Sequence, residues 1–93
     1  MSKFIKIPKR FDYSVSSDFN AAVGAALADI GADKTVTLDC SEMEYLDSAG
    51  IGLIVMAHKK AISQQCRVAI INTKPSAREI LLLANLQKLI DIQ

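Results

Sequence analysis

The sequence predicts a small α/β domain, a mixed sheet of about four strands with amphipathic helices chiefly on one face. Three observations point to it. Short β-rich runs, "KFIKI", "KTVTLDC" and "RVAII", alternate along the chain with longer segments of helical period. The run Lys34–Cys40 alternates strictly, with Val36 and Leu38 to one side and Thr35, Thr37 and Asp39 to the other. That pattern suits a sheet covered better on one face. Finally, 93 residues, 51% of them hydrophobic, provide for one core and no second, so positions 1–93 are read as one domain.

Each element has its own signal. Lys3–Ile7 reads as a strand that Pro8 interrupts, and "KRFDYSV" continues as a short edge strand and loop. In "SSDFNAAVGAALADIG", Phe19, Ala22, Val23, Ala26, Leu27 and Ile30 fall on one helical stripe. Ser16 or Ser17 is placed to cap that helix, Asp18 favours its positive end, and Gly31 is placed to end it in a left-handed conformation. After the central strand, the polar loop "SEMEY" leads to a helix from Ser48 to about Gln65, with Ile51, Ile54, Val55, His58 and Ile62 on one face. Arg67–Ile71 is a short buried strand, and this strand–helix–strand spacing calls for a right-handed parallel crossover. "NTKPSAREILLLAN" is a third helix, capped by Asn72 or Thr73, with Pro75 in its first turn and Asn85 at its end. "LQKLIDIQ" is expected to form a short edge segment. It is also expected to cover the apolar run Ile80–Leu83, whose four consecutive side chains cannot all face inward.

Composition excludes several function classes. The net charge is +1 with acids and bases interspersed, against the concentrated basic face that nucleic acid requires. The five aromatics (Phe4, Phe11, Tyr13, Phe19, Tyr45) are too scattered for a base-stacking platform. "MSKFIKIPKRF" lacks the apolar core of a signal peptide and no stretch approaches a membrane span, so a cytoplasmic protein without direct membrane insertion is expected. Cys40 and Cys66 stand alone and read as free, buried thiols. His58 is the sole histidine, in a helical pattern beside Lys59 and Lys60, with no carboxylate–histidine–nucleophile arrangement around it.

The segment "YLDSAGIGLI" (Tyr45–Ile54) concentrates the functional question. It lacks the Gly-Lys-Ser/Thr of a phosphate cradle, and Val55 fills the third glycine position of a dinucleotide fingerprint. A nucleophile turn needs glycine two residues before the serine, where Leu46 stands. Asp39, Glu44 and Asp47 have no diagnostic metal spacing. Ser48 as a helix N-cap accounts for one atom, but not for Ala49, Gly50 and Gly52, since glycines weaken a first turn. Bare positions suit close approach by another protein, and a helix N-terminus tolerates an anion. A serine displayed for phosphorylation, whose new charge alters a partner's approach, fits these residues best. The reading makes the chain a binding protein rather than an enzyme and calls for no cofactor of its own.

At these residues the chain resembles a STAS domain of the anti-sigma-factor-antagonist type. "VTLDCSEMEYLDSAGIGLIVMAHKKA" is similar to that family's hydrophobic strand ending in Asp, short loop, and Asp-Ser-x-Gly-hydrophobic-Gly opening a helix. "KRFDYSVSSDFNAAV" is similar to its Gly-x-hydrophobic-Asp turn, with Asp12 on the aspartate and Lys9 in place of the glycine. The resemblance implies that the unmodified chain binds a cytosolic serine kinase that doubles as an anti-sigma factor. That kinase would phosphorylate Ser48 and release the chain, and a metal-dependent serine phosphatase would reset it; ATP and Mg²⁺ would belong to the kinase. Asp12 and Asp47 would help present Ser48, while Ala49, Gly50 and Ile51 would form part of the docking face. The alternative is a STAS-like accessory subunit of a membrane transport ATPase, with Ser48 only a helix cap.

Overall fold

The computed structural model describes residues 3–93. In chain order the elements are β1 (Lys3–Lys6), β2 (Arg10–Phe11), a 3₁₀ turn (Tyr13–Val15), α1 (Ser16–Ala28), β3 (Thr35–Asp39), β4 (Tyr45–Leu46), α2 (Ser48–Ser63), β5 (Arg67–Ile71), α3 (Pro75–Leu83), another 3₁₀ turn (Leu86–Lys88) and β6 (Asp91–Ile92). The main sheet has the order β1-β3-β5-β6 and is parallel at every pairing rather than mixed. Each successive strand is reached through a helical crossover, a connection that favours parallel pairing. Because the sheet order follows the chain order, right-handed crossovers set all three helices on the same face.

Side-chain alternation agrees. Val36, Leu38, Val68 and Ile70 belong to the core under the helices, and half-buried Ile5 packs against it. On the opposite face, register neighbours Phe4, Thr37 and Ala69 lie side by side, and Phe4 remains 63% exposed. Thr35 and Thr37 are nevertheless buried. Across Thr35 lies the Arg67 side chain, whose Nε donates to the threonine hydroxyl at 2.9 Å.

Helix ends depart from the expected caps. Winding starts at Asp12, whose carboxylate accepts from the Ser14 N–H at 3.0 Å; Ser16 already has helical angles, and neither it nor Ser17 caps α1. Gly31 does not take up a left-handed conformation; Lys34, with φ of 58°, does so nearby. Neither Asn72 nor Thr73 caps α3, which starts with Pro75, a residue with no N–H to satisfy. Asn72 is instead left-handed and donates to Asp39 at 3.2 Å. Asn85 does follow the end of α3 in a left-handed conformation.

The buried stripe of α2 is Gly50, Leu53, Ile54, Ala57 and Ala61. This is turned from the expected one: Ile51, Val55 and His58 are half-buried flanks and Ile62 is 54% exposed. The tail covers less than expected as well. It buries Leu86 and Ile90 of its own and ends in the edge strand β6, but leaves Leu83 at 77% and Ile80 at 37% exposed.

Candidate functional site

The site is built on a separate, two-stranded parallel ladder. Arg10 pairs with Tyr45 and Phe11 with Leu46. Both strands are locally alike: an exposed residue, a buried apolar one, then an aspartate that caps a helical turn. Adjacent strands lie about 5 Å apart, so Asp12 and Asp47 leave the ladder side by side. The shared pattern, Arg-Phe-Asp and Tyr-Leu-Asp, is visible in the sequence once the two segments are compared.

Gly50 brings the halves together. A Cβ at this position would sit 2.5 Å from the Phe11 carbonyl oxygen and 2.8 Å from Leu46 Cδ1. The bare position lets this chain's own β2 approach α2, and Gly50 is buried. Its bareness is thus accounted for by packing within this chain, without a partner. Gly52 differs, being exposed with nothing within 4 Å of an added Cβ.

Asp47, and not Ser48, caps α2. The Asp47 Oδ1 accepts from the Gly50 N–H at 3.0 Å, and its carbonyl accepts from Ile51 N–H at 3.0 Å. Ser48 is thereby the first helical residue, exposed, and takes no part in the cap. This overturns the idea that the serine is there to cap the helix. Ala49 and Ile51 flank it, each half-buried. Two substitutions separate the roles. Asp47→Ala should cost about 1 kcal/mol and lower the melting temperature by roughly 4–8 °C. Ser48→Ala should change stability by less than about 0.5 kcal/mol. Thermal melts followed by circular dichroism compare them, and the reverse order of sensitivities would reassign the cap.

Arg10 and Tyr45 are not among the expected site residues, yet they link the two aspartates. The Arg10 guanidinium lies 4.0 Å over the centre of the Tyr45 ring, a favourable cation–π arrangement. Arg10 Nε donates to Asp12 Oδ2 at 2.7 Å, and the Tyr45 hydroxyl donates to Asp47 Oδ2 at 3.4 Å. Hydrogen bonds from Ser14, then from Arg10, hold the Asp12 carboxyl below its usual range. The Asp12 hydrogen bond raises Arg10 in turn. Lys9 shows no left-handed strain where the resembled family has glycine; its carbonyl accepts from the Glu44 and Tyr45 N–H groups at 2.8 and 3.0 Å.

Other candidates lie apart from Ser48. His58 is ten residues further along α2, about 15 Å along the axis, with a buried Nδ1 that makes no hydrogen bond. Among the described residues no group of three His, Cys, Asp or Glu side chains is arranged to hold a metal. Glu44 is drawn off to Lys74 at 3.2 Å, and Asp39 to Asn72 and the Ser41 N–H. Cys40 and Cys66 are free and buried, and burial pushes the Cys40 thiol up to about 12. No helix among the described residues is long and apolar enough to cross a membrane.

Fold and site together define a small parallel α/β domain that presents one serine on a helix start capped by its neighbour. The chain belongs to the STAS domain family: the family model described as "Mlab, STAS domain" matches residues 4–91. It is 26% identical over 88 residues to a STAS-domain containing protein of Pseudomonas aeruginosa (strain UCBPP-PA14), covering 95% of this chain and 84% of that one. The crystal structure of a Thermotoga maritima protein assigned as an anti-sigma factor antagonist superimposes with a TM-score of 0.78 at 22% identity, over 96% of this chain and 77% of that one. The anti-sigma factor antagonist SpoIIAA in its unphosphorylated form gives 0.76 at 19% identity, over 97% of this chain and 77% of that one. These structural likenesses establish the fold.

Proposed function

We propose that this chain is a phospho-switched binding module: unmodified, it binds a serine kinase that also acts as an anti-sigma factor, and phosphorylation of Ser48 by that kinase releases it. The observation that carries the reading is the exposed Ser48 at the first position of α2, freed from capping by Asp47. A serine with a structural duty would change the fold when modified; this one has none. The phosphoryl group would come from the kinase's ATP to the Ser48 oxygen, with ADP and the hydroxyl proton leaving. A metal-dependent serine phosphatase would reset the switch. Along the exposed row of α2, Ser48 is followed at helical spacing by Gly52 and Met56. Met56 also lines a shallow groove with Val23, Leu53 and Ala57. Together with Asp12, Asp47, Ala49 and Ile51, this row supplies a docking face with one apolar anchor. SpoIIAA has also been solved as a phosphorylated protein, which supports a fold that tolerates such a group.

Permanent attachment to a membrane transport ATPase is the rival reading; the Asp47 cap removes only its account of Ser48 as the helix cap. Incubation with the cognate kinase and ATP, followed by mass spectrometry, tests the proposal. One phosphate is expected on the wild-type chain and none on Ser48→Ala. Equal labelling of the variant would overturn the assignment.

A further inference from the structure

We propose that Arg10 is the counter-ion of a phosphate on Ser48, turning from Asp12 toward the new dianion and thereby limiting the charge that the switch presents to a partner. This deepens the phospho-switch reading and rests on it. Ser48 sits at the end of an acidic pair: Asp47 precedes it and Asp12 leaves the ladder beside Asp47. A phosphate there adds nearly two negative charges to two carboxylates. Arg10 is the cation that already touches this cluster. Its guanidinium rests on Tyr45, three residues before Ser48, and bonds to Asp12. Lys9 and Lys74 are turned toward Glu44, at 4.0 and 3.2 Å.

Three features make Arg10 suited to move. Its side chain is 65% exposed, and an ion pair open to water on one side holds its partners weakly. The Tyr45 face gives the guanidinium a surface to turn on without losing its cation–π contact. Finally, a planar guanidinium bonds a phosphate through two N–H groups, more strongly than the single Nε contact it now makes. Asp12 would keep its bond from the Ser14 N–H, so the 3₁₀ turn would survive the exchange.

The test uses chain into which phosphoserine is placed at position 48 during synthesis, so it depends on no kinase. Titration followed by ³¹P NMR reads the second ionisation of the phosphate, ordinarily near pH ~6. Removing a facing cation disfavours the dianion, so Arg10→Gln should raise this midpoint by about half a unit, about threefold in proton affinity. Arg10→Lys should lie between the two. In the wild-type chain the Arg10 Nε–H resonance should move with the same midpoint as the phosphate. An unchanged midpoint in Arg10→Gln, or an Arg10 resonance indifferent to the phosphate, overturns the role of Arg10 and leaves the Ser48 assignment standing. Failure of the kinase to label Ser48 would overturn that assignment separately.

Discussion

Gly50→Ala should destabilise the protein, whereas Gly52→Ala, two residues away on the same helix, should stabilise it. In a helix interior alanine is favoured over glycine by about 1 kcal/mol, and at Gly52 an added methyl meets nothing within 4 Å. At Gly50 the same methyl would lie 2.5 Å from the Phe11 carbonyl oxygen and 3.0 Å from its ring. Phe11 is fully buried, and its ring meets Phe19 edge-on with centroids 5.0 Å apart, so it has nowhere to yield. Overpacking of this kind costs about 1–3 kcal/mol. With the helical gain of about 1 kcal/mol set against it, a net loss of up to about 2 kcal/mol lowers the melting temperature by up to roughly 16 °C in a domain of this size. The clash also pushes β2 away from α2, carrying Asp12 and Arg10 from Ser48. Gly50→Ala should therefore impair modification of Ser48 without touching the hydroxyl. A Gly50→Ala protein that melts at or above wild type would refute the packing argument.

The contrast between these glycines marks what residue patterns can and cannot disclose. Periodicity suffices for the strands Lys3–Lys6, Thr35–Asp39 and Arg67–Ile71 and for the extent of α2, because each buries one face in a single core. The two-residue ladder between Arg10–Phe11 and Tyr45–Leu46 is only half legible. Its strands are too short for periodicity, and Tyr45 reads as the end of a polar loop. Without that ladder, Gly50 reads as a surface left bare for a partner rather than as a seat for Phe11. The caps are misplaced for a related reason. Ser is a good cap on local grounds, but Asp12 and Asp47, each leaving a strand, reach the first N–H groups ahead of Ser16 and Ser48, while α3 begins at Pro75 with no side-chain cap. Arg10 escapes notice because its partners, Asp12 and Tyr45, meet only once the ladder forms. The Asp-Ser-x-Gly segment, by contrast, is readable from residue types alone.

Ser48→Asp should weaken kinase binding by roughly 10- to 100-fold, equivalent to about 1.4–2.8 kcal/mol, while circular dichroism and melting stay close to wild type. The fold is expected to hold because the new carboxylate stands at the positive end of α2, where a helix favours an anion. Binding is expected to fall because the charge joins Asp47 and Asp12 on the proposed docking face, and like charges brought together at an interface are costly. A phosphate, with nearly twice the charge, should exceed the aspartate's effect where Arg10 does not fully offset it. The most direct measurement is calorimetric titration of one kinase preparation with unmodified chain and with chain carrying phosphoserine at position 48. Tight binding of the unmodified form and at least tenfold weaker binding of the modified one, with superimposable circular dichroism spectra, is the predicted result. Equal affinities, or weaker binding accompanied by loss of the fold, would contradict the claim that Ser48 switches partners from an unchanged structure.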